Sequence, residues 1–249
     1  MADSDGSNSS CTIHMSLQGK GGVGKSFAAS ILAQYLTARG NTVRCIDADP
    51  VNKTLHQYQA LQVVPFRLLC DGGIDQRAFD GLVDELVTED GPFVVDNGAA
   101  TFVPLWQYML ESDVAGILRT AGRKLYIHMV LTGGQGLAET VNGFATVAAT
   151  TTEKSIVVWV NEFFGPVEFQ GRPFREMKAY QDHADKVCGS VVIPRRNRAT
   201  FGRDLEEVLA RKLTFEEAIR ESSISLMSRQ RLKVMQRELF VQLDAVGLE

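Results

Sequence analysis

Short runs of apolar residues alternate along this chain with longer segments whose apolar positions recur every three to four residues. Seven of the short runs predict strands, over 12–17, 42–46, 66–69, 93–95, 125–131, 155–160 and 187–193. Most are rich in Val and Ile and apolar throughout, as expected where helices cover both faces of a sheet. The clearest helix lies between the first two strands. Phe27, Ala28, Ile31, Leu32, Tyr35 and Leu36 form one stripe at helical spacing, and Gly40 follows as its terminating glycine. Further helices are predicted over 75–87, 135–149, 173–185 and 204–212, with a last long one over 223–245. The segment 161–172 (NEFFGPVEFQGR) mixes aromatics with Gly and Pro and predicts a long loop or hairpin inserted after a strand. This alternation predicts an α/β fold, a mostly parallel sheet of about seven strands with helices on both faces.

Composition narrows the class. The chain has 249 residues, 45% hydrophobic and 22% charged, which excludes a disordered or fibrous protein. No repeat or Ser/Gly/Pro-rich linker divides it, so the expected organisation is a polar, flexible tail over 1–11 and one domain over 12–249. The net charge of −4 excludes binding of polyanions by bulk electrostatics. From Val191 onward 11 Lys and Arg face 9 Asp and Glu, an asymmetry that permits a local basic patch without announcing one. Cys11, Cys45, Cys70 and Cys188 lie far apart, with no C-x-x-C pair, which argues against a zinc site or a disulfide framework. Cys45 and Cys188 sit in apolar runs and read as small core residues. No run approaches the roughly 18 apolar residues of a membrane span. The first ten residues lack the basic and apolar regions of a signal peptide. A cytoplasmic protein is the expectation.

The strongest chemical signal runs from Gly19 to Ser26. Gly-Lys-Gly-Gly-Val-Gly-Lys-Ser fits G-x-x-x-x-G-K-[ST], with a predicted strand before it and a helix beginning within it. Glycines let successive backbone N–H groups converge on phosphate oxygens, and the helix N-terminus adds its positive end. Gly21, Gly22, Val23, Gly24, Lys25, Ser26 and Phe27 would therefore cradle a nucleotide. Lys25 would neutralise β/γ-phosphate charge, and the Ser26 hydroxyl would coordinate Mg²⁺. Pro92 to Gly98 supplies a short apolar strand ending in aspartate. In a protein with this loop, Asp96 would bond a water on Mg²⁺.

The loop carries a second lysine, Lys20, in K-G-G-V-G-K-S. This form resembles the deviant Walker A motif of the ParA/MinD family of dimerising ATPases. The resemblance implies that Lys20 reaches across an ATP-bound homodimer to the partner's nucleotide. It extends to Asp47-Ala48-Asp49-Pro50 after the second strand, where it implies that Asp47 holds the hydration shell of Mg²⁺ and Asp49 positions the attacking water. Asn161, ending a strand, matches the family's adenine-bonding asparagine. Pro194 matches the segment that lies against the base. Asn97-Gly98-Ala99 departs from the family pattern, which usually has a proline or a second acidic or hydroxyl residue there.

Several segments outside the nucleotide motifs, among them VLTGGQGLAETVNGFA, GRDLEEVLARKLTFEEA and MSRQRLKVMQRELFVQLDA, resemble the ParA-like proteins encoded in conjugal transfer regions of broad-host-range plasmids. That likeness implies a Mg²⁺-dependent ATPase acting as a dimerisation switch, with transfer machinery or the relaxosome as partner. Relatives also bind DNA through basic residues, here Arg195, Arg196, Arg198 and Arg203, or membranes through a terminal amphipathic helix. A short basic cluster on an acidic chain reads rather as a solvated face. The last helix contains Glu238 and Asp244 and lacks a Trp anchor, so it reads rather as a core-packing element. The alternative function is a P-loop metabolic enzyme of the ATP-dependent carboxylate–amine ligase type, which would need a second substrate pocket.

Overall fold

The computed structural model describes residues 11–49, 51–70 and 73–248. Pro50 and all of the expected tail except Cys11 lie outside the described residues. The strands are β1 (Thr12–Ser16), β2 (Arg44–Asp47), β3 (Val64–Pro65), β4 (Leu69–Cys70), β5 (Gly73–Ile74), β6 (Phe93–Asp96), β7 (Lys124–Thr132), β8 (Ile156–Asn161), β9 (Glu168–Phe169), β10 (Arg172–Pro173) and β11 (Val187–Ile193). Interspersed are α1 (Lys25–Ala38), α2 (Ala78–Thr88), α3 (Phe102–Glu111), α4 (Val114–Thr120), α5 (Leu137–Thr150), α6 (Lys178–Gln181), α7 (Arg203–Arg211), α8 (Phe215–Arg220) and α9 (Leu226–Val246). Seven strands form one sheet in the order β11-β8-β7-β1-β6-β2-β3, and every pairing in it is parallel. The expected α/β architecture is present. Two expectations are corrected. The strand placed at 66–69 enters the sheet earlier, as β3, and Leu69–Cys70 pairs instead with Gly73–Ile74 in a small antiparallel hairpin. The helix placed over 173–185 is broken into two short 3₁₀ turns and the four-residue α6. Segment 161–172 is the loop with a hairpin, β9 against β10, that its composition predicts.

Helices cover both faces. On one, Ile31 and Leu36 of α1 meet Val94, Trp159, Leu232 and Leu239. On the other, Leu82 of α2, Leu105 of α3 and Phe144 of α5 meet Ile13, Val95 and Ile127. Helix α9 packs on the core as expected, burying Leu232, Met235, Leu239 and Leu243, each contributing about 1.5–3 kcal/mol relative to exposure. Gln242 then bonds both the N–H and the C=O of Val192, at 2.7 and 3.0 Å, covering the exposed edge of β11. Cys45 is buried as predicted, whereas Cys188 is only half-buried. No helix among the described residues is long and apolar enough to cross a membrane.

β1 alternates apolar and polar residues, yet both its faces are buried. Ile13 and Met15 join the second core cluster, while Thr12, His14 and Ser16 lie on the face covered by α1. A chain of hydrogen bonds satisfies these polar groups. Trp159 Nε1 donates to His128 Nδ1 at 2.9 Å, His128 Nε2 lies 3.0 Å from His14 Nδ1, and His14 Nε2 lies 3.0 Å from Thr12 Oγ1. Because Trp159 can only donate, the series is complete when both rings are neutral, each accepting at Nδ1 and donating at Nε2. Burial pushes the His128 pKa down to about 3 and that of His14 well below its usual value. The folded chain therefore binds fewer protons here than the unfolded one below pH 6.5, so the contribution of these groups is present above that pH and lost as pH falls. Urea unfolding between pH 4.5 and 7 should show wild type losing stability, toward acid, relative to a His14→Gln/His128→Gln variant. Parallel pH profiles for the two proteins would contradict the neutral pair.

Candidate functional site

β1 stands near the middle of the sheet, with β6, β2 and β3 on one side and β7, β8 and β11 on the other. The chain leaves β1 toward β2 and later returns to β7, a reversal that opens a crevice beyond the carboxyl ends of the strands. The loop from Gly19 to Gly24 lies there. Gly22 and Gly24 have φ of +73° and +100°, left-handed values that favour glycine. Gly24 also begins α1, and a Cβ on it would fall 2.9 Å from Asn161 Nδ2. No side chain caps α1, and its first turn holds no acidic residue. Its positive end is left for an anion.

Lys25 is buried, and its Nζ donates to the Lys20 carbonyl at 3.1 Å. Burial lowers its pKa, while the charges of Asp96 and Asp49 pull the other way. Asp96 stands in register between Ser16 on β1 and Asp47 on β2. It is 1% exposed and accepts a 2.6 Å bond from Ser16 Oγ. Burial lifts its pKa to about 6 against the opposing effects of the Ser16 and Ser26 hydroxyls and the Lys25 charge, and Asp47 adds to the rise. Asp47 is itself buried, which raises its pKa, and it accepts the N–H groups of Asp49 and His56 at 3.0 and 2.9 Å.

Two buried carboxylates beside a serine hydroxyl form a hard oxygen donor set, and a cation would relieve the cost of ionising both. Among the described residues no three His, Cys, Asp or Glu side chains converge as a metal cage. Mg²⁺ suits such a site, since it usually keeps several waters and shares itself with phosphate oxygens. Ser26, Asp47 and Asp96 are the residues that would hold it.

Asp49 is half-buried and accepts the N–H groups of Val51 and Asn52, at 2.8 and 3.1 Å. A Cβ on Gly98 would meet its Cγ at 2.6 Å, so glycine there lets the loop after β6 touch the loop after β2. Asn161 is buried. Its Nδ2 donates to the Val23 carbonyl at 2.9 Å, and its Oδ1 accepts the Phe163 N–H at 3.1 Å. The side chain expected at the base also braces the phosphate loop. Pro194 follows Ile193, which pairs in register with Asn161. With Phe163, Phe164 and Arg195 it lines a groove of about 920 Å³.

Lys20 points elsewhere: its Nζ forms a 2.9 Å ion pair with Glu139 Oε1 of α5. Ahead of the loop, Gln18 is buried and donates to the carbonyls of Val130 and Thr140 at 3.1 and 3.2 Å. Sequence reasoning missed Ser16, Gln18, His56 and Glu139. Ser16 and Gln18 lie just ahead of the motif, at the end of β1 and in the loop after it, and could have been suspected as polar residues either side of Leu17. Glu139 lies 119 positions from Lys20, and nothing local marks it. The Arg cluster is partly consumed, since Arg196 pairs with Glu238 and stacks over Phe201.

Residues 15–204 match the model of the CobQ/CobB/MinD/ParA nucleotide binding domain. Two Escherichia coli proteins called Protein TraL are 45% and 43% identical over 95% and 93% of this chain and 98% and 97% of their own. The MinD cell division protein of Aquifex aeolicus shares the fold, with a TM-score of 0.50 at 14% identity over 92% of this chain and 97% of that one. The phosphate loop, the paired carboxylates and the sheet order thus occur in a chain that belongs to the CobQ/CobB/MinD/ParA nucleotide-binding family and, within it, to the group of the TraL proteins.

Proposed function

We propose that this protein is a Mg²⁺-dependent ATPase whose ATP-bound form closes into a homodimer and whose hydrolysis opens it, serving plasmid conjugal transfer by recruiting or positioning transfer machinery or the relaxosome. The observation that carries the reading is the division of labour between two lysines on one loop. Lys25 is buried in the cradle beside Asp96 and Ser26, while Lys20 reaches outward to an exposed carboxylate. A charge held at the rim is placed to serve a second copy. The TraL likeness supports the conjugal setting and gives no support to a metabolic ligase.

In this reading the loop N–H groups and Lys25 bind the phosphates, with Phe27 in the first turn of α1 closing the cradle. Mg²⁺ would supply charge neutralisation at the β- and γ-oxygens. Ser26, Asp47 and Asp96 would hold that ion, and Asp49 would orient the attacking water. Asn161 and Pro194 shape the base end. Lys20 from the partner stabilises the charge that develops on the transferred phosphoryl group. The packing of α9 on the core and the pairing of Arg196 support neither a membrane anchor nor a DNA-binding face.

Lys25→Ala should abolish ATP binding in calorimetry, because the phosphate charge loses its buried counter-charge; an unchanged affinity would remove the phosphate site. Asp49→Asn keeps the acceptor that closes its turn, so it should bind ATP and dimerise while turning over slowly. Loss of binding would instead make Asp49 a metal or structural residue. Lys20→Ala should leave ATP affinity of the monomer intact but prevent dimerisation and hydrolysis, as read by light scattering and phosphate release. Mixing Lys20→Ala with Asp49→Asn subunits should restore part of the hydrolysis, since one site of each mixed dimer has both groups intact. No recovery in demonstrated mixed dimers would count against a lysine acting in trans.

A further inference from the structure

Glu139 is the only acidic residue in the first turn of α5. Its pairing with Lys20 follows from how the loop is anchored. Gln18, two residues before Lys20, is fixed to the carbonyl of Thr140, the residue after Glu139. A Cβ on Gly143 would meet Gln18 Oε1 at 2.5 Å, so the glycine lets α5 approach the start of the loop. One contact is buried and rigid. The other, between Lys20 and Glu139, has side chains 38% and 58% exposed and can open without disturbing the core. Lys25 Nζ also donates to the carbonyl of Lys20. The lysine that meets phosphate therefore holds the backbone of the lysine that reaches outward.

We infer that Glu139 is a latch that holds Lys20 within its own subunit and sets the threshold for ATP-dependent dimerisation. The inference rests on the reading above, in which Lys20 serves the partner's nucleotide. One ammonium cannot keep its full contact with Glu139 and also reach a phosphate across an interface, so each dimer formed must open two latches. An exposed ion pair is worth about 0.2–1 kcal/mol, or roughly 1.4- to 5-fold per lysine. Two lysines per dimer make that roughly 2- to 25-fold in the dimer dissociation constant. The contact is also screened by salt. The latch thus favours the monomer modestly, and a surface that drew Glu139 away from Lys20 would promote pairing.

Two measurements on the full chain test this. The first is independent of dimerisation: reductive methylation of the nucleotide-free protein, with Lys20 labelling followed by mass spectrometry. Glu139→Gln should label faster at Lys20 than wild type while the other lysines are unchanged, and equal rates would overturn the latch. The second is sedimentation of both proteins over a dilution series in Mg²⁺ and a non-hydrolysable ATP analogue. The variant should dimerise more tightly by the stated factor at low salt, with the difference shrinking at 0.5 M salt and monomer affinity for the analogue unchanged. If wild type dimerises and the variant does so equally or less tightly, Glu139 is not a latch, while the switch reading stands. If neither protein dimerises under any condition, the switch reading falls and the latch falls with it.

Discussion

The site depends on a carboxylate held where water cannot reach it. Asp96 ends a central strand and is 1% exposed, with its pKa lifted to about 6. A buried carboxylate is costly unless paired or hydrogen-bonded. Here the protein supplies hydroxyls from Ser16 and Ser26 and the charge of Lys25, but sets a second buried carboxylate, Asp47, in register beside it. The arrangement remains short of positive charge. A divalent cation brought with a nucleotide would correct that shortage, and the loop that binds the nucleotide is the continuation of the strand that carries Ser16. The same strand pairing that builds the sheet therefore aligns the oxygens that would hold a cation with the phosphate loop.

Much of this was legible in the sequence because it is local. The strand, glycine loop and helix from Thr12 to Ala38 follow one another directly, and Gly22 and Gly24 take the left-handed conformations that their place in the motif requires. Asp47 and Asp96 end strands whose apolar composition identifies them as buried. What failed to show was either marginal or long-range. The 173–185 segment has helical spacing but breaks into short turns, with Phe174 buried against Phe144 and Tyr180 rather than lying on one continuous stripe. The strand at 64–65 is only two residues long, too short for periodicity to place it. His14 and His128 lie 114 residues apart, and nothing local links them. Parallel pairing of β1 with β7 makes them neighbours.

Asn161 makes contacts that its place in the sequence does not show. The sequence places it at the carboxyl edge, where it lies. Yet both ends of its carboxamide are committed, to Val23 of the phosphate loop and to Phe163 of the following turn. An asparagine so bound transmits the position of the β8 loop to the cradle. The turn after β8, whose Phe163 lines the groove beside Pro194, is thus tied to the phosphate loop through one side chain.

In the proposed switch the two lysines separate what happens within one chain from what happens between two. A ligand shifts an equilibrium only by its differential affinity for the two states. Phosphate bound at Lys25 acts within one chain, so by itself it gives no reason for two chains to pair. A reason appears only if some group binds the nucleotide better in the dimer than in the monomer. Lys20 is suited to that role because it is anchored at its backbone, by Gln18 on one side and by Lys25 at its carbonyl, and held only by an exposed ion pair at its tip. A fully buried lysine could not cross an interface, and an unanchored one would spend much of its interaction energy on ordering. Rigid at the base and releasable at the end, Lys20 would in the proposed switch place its cost in a single surface contact, where salt or a partner's charge could adjust it.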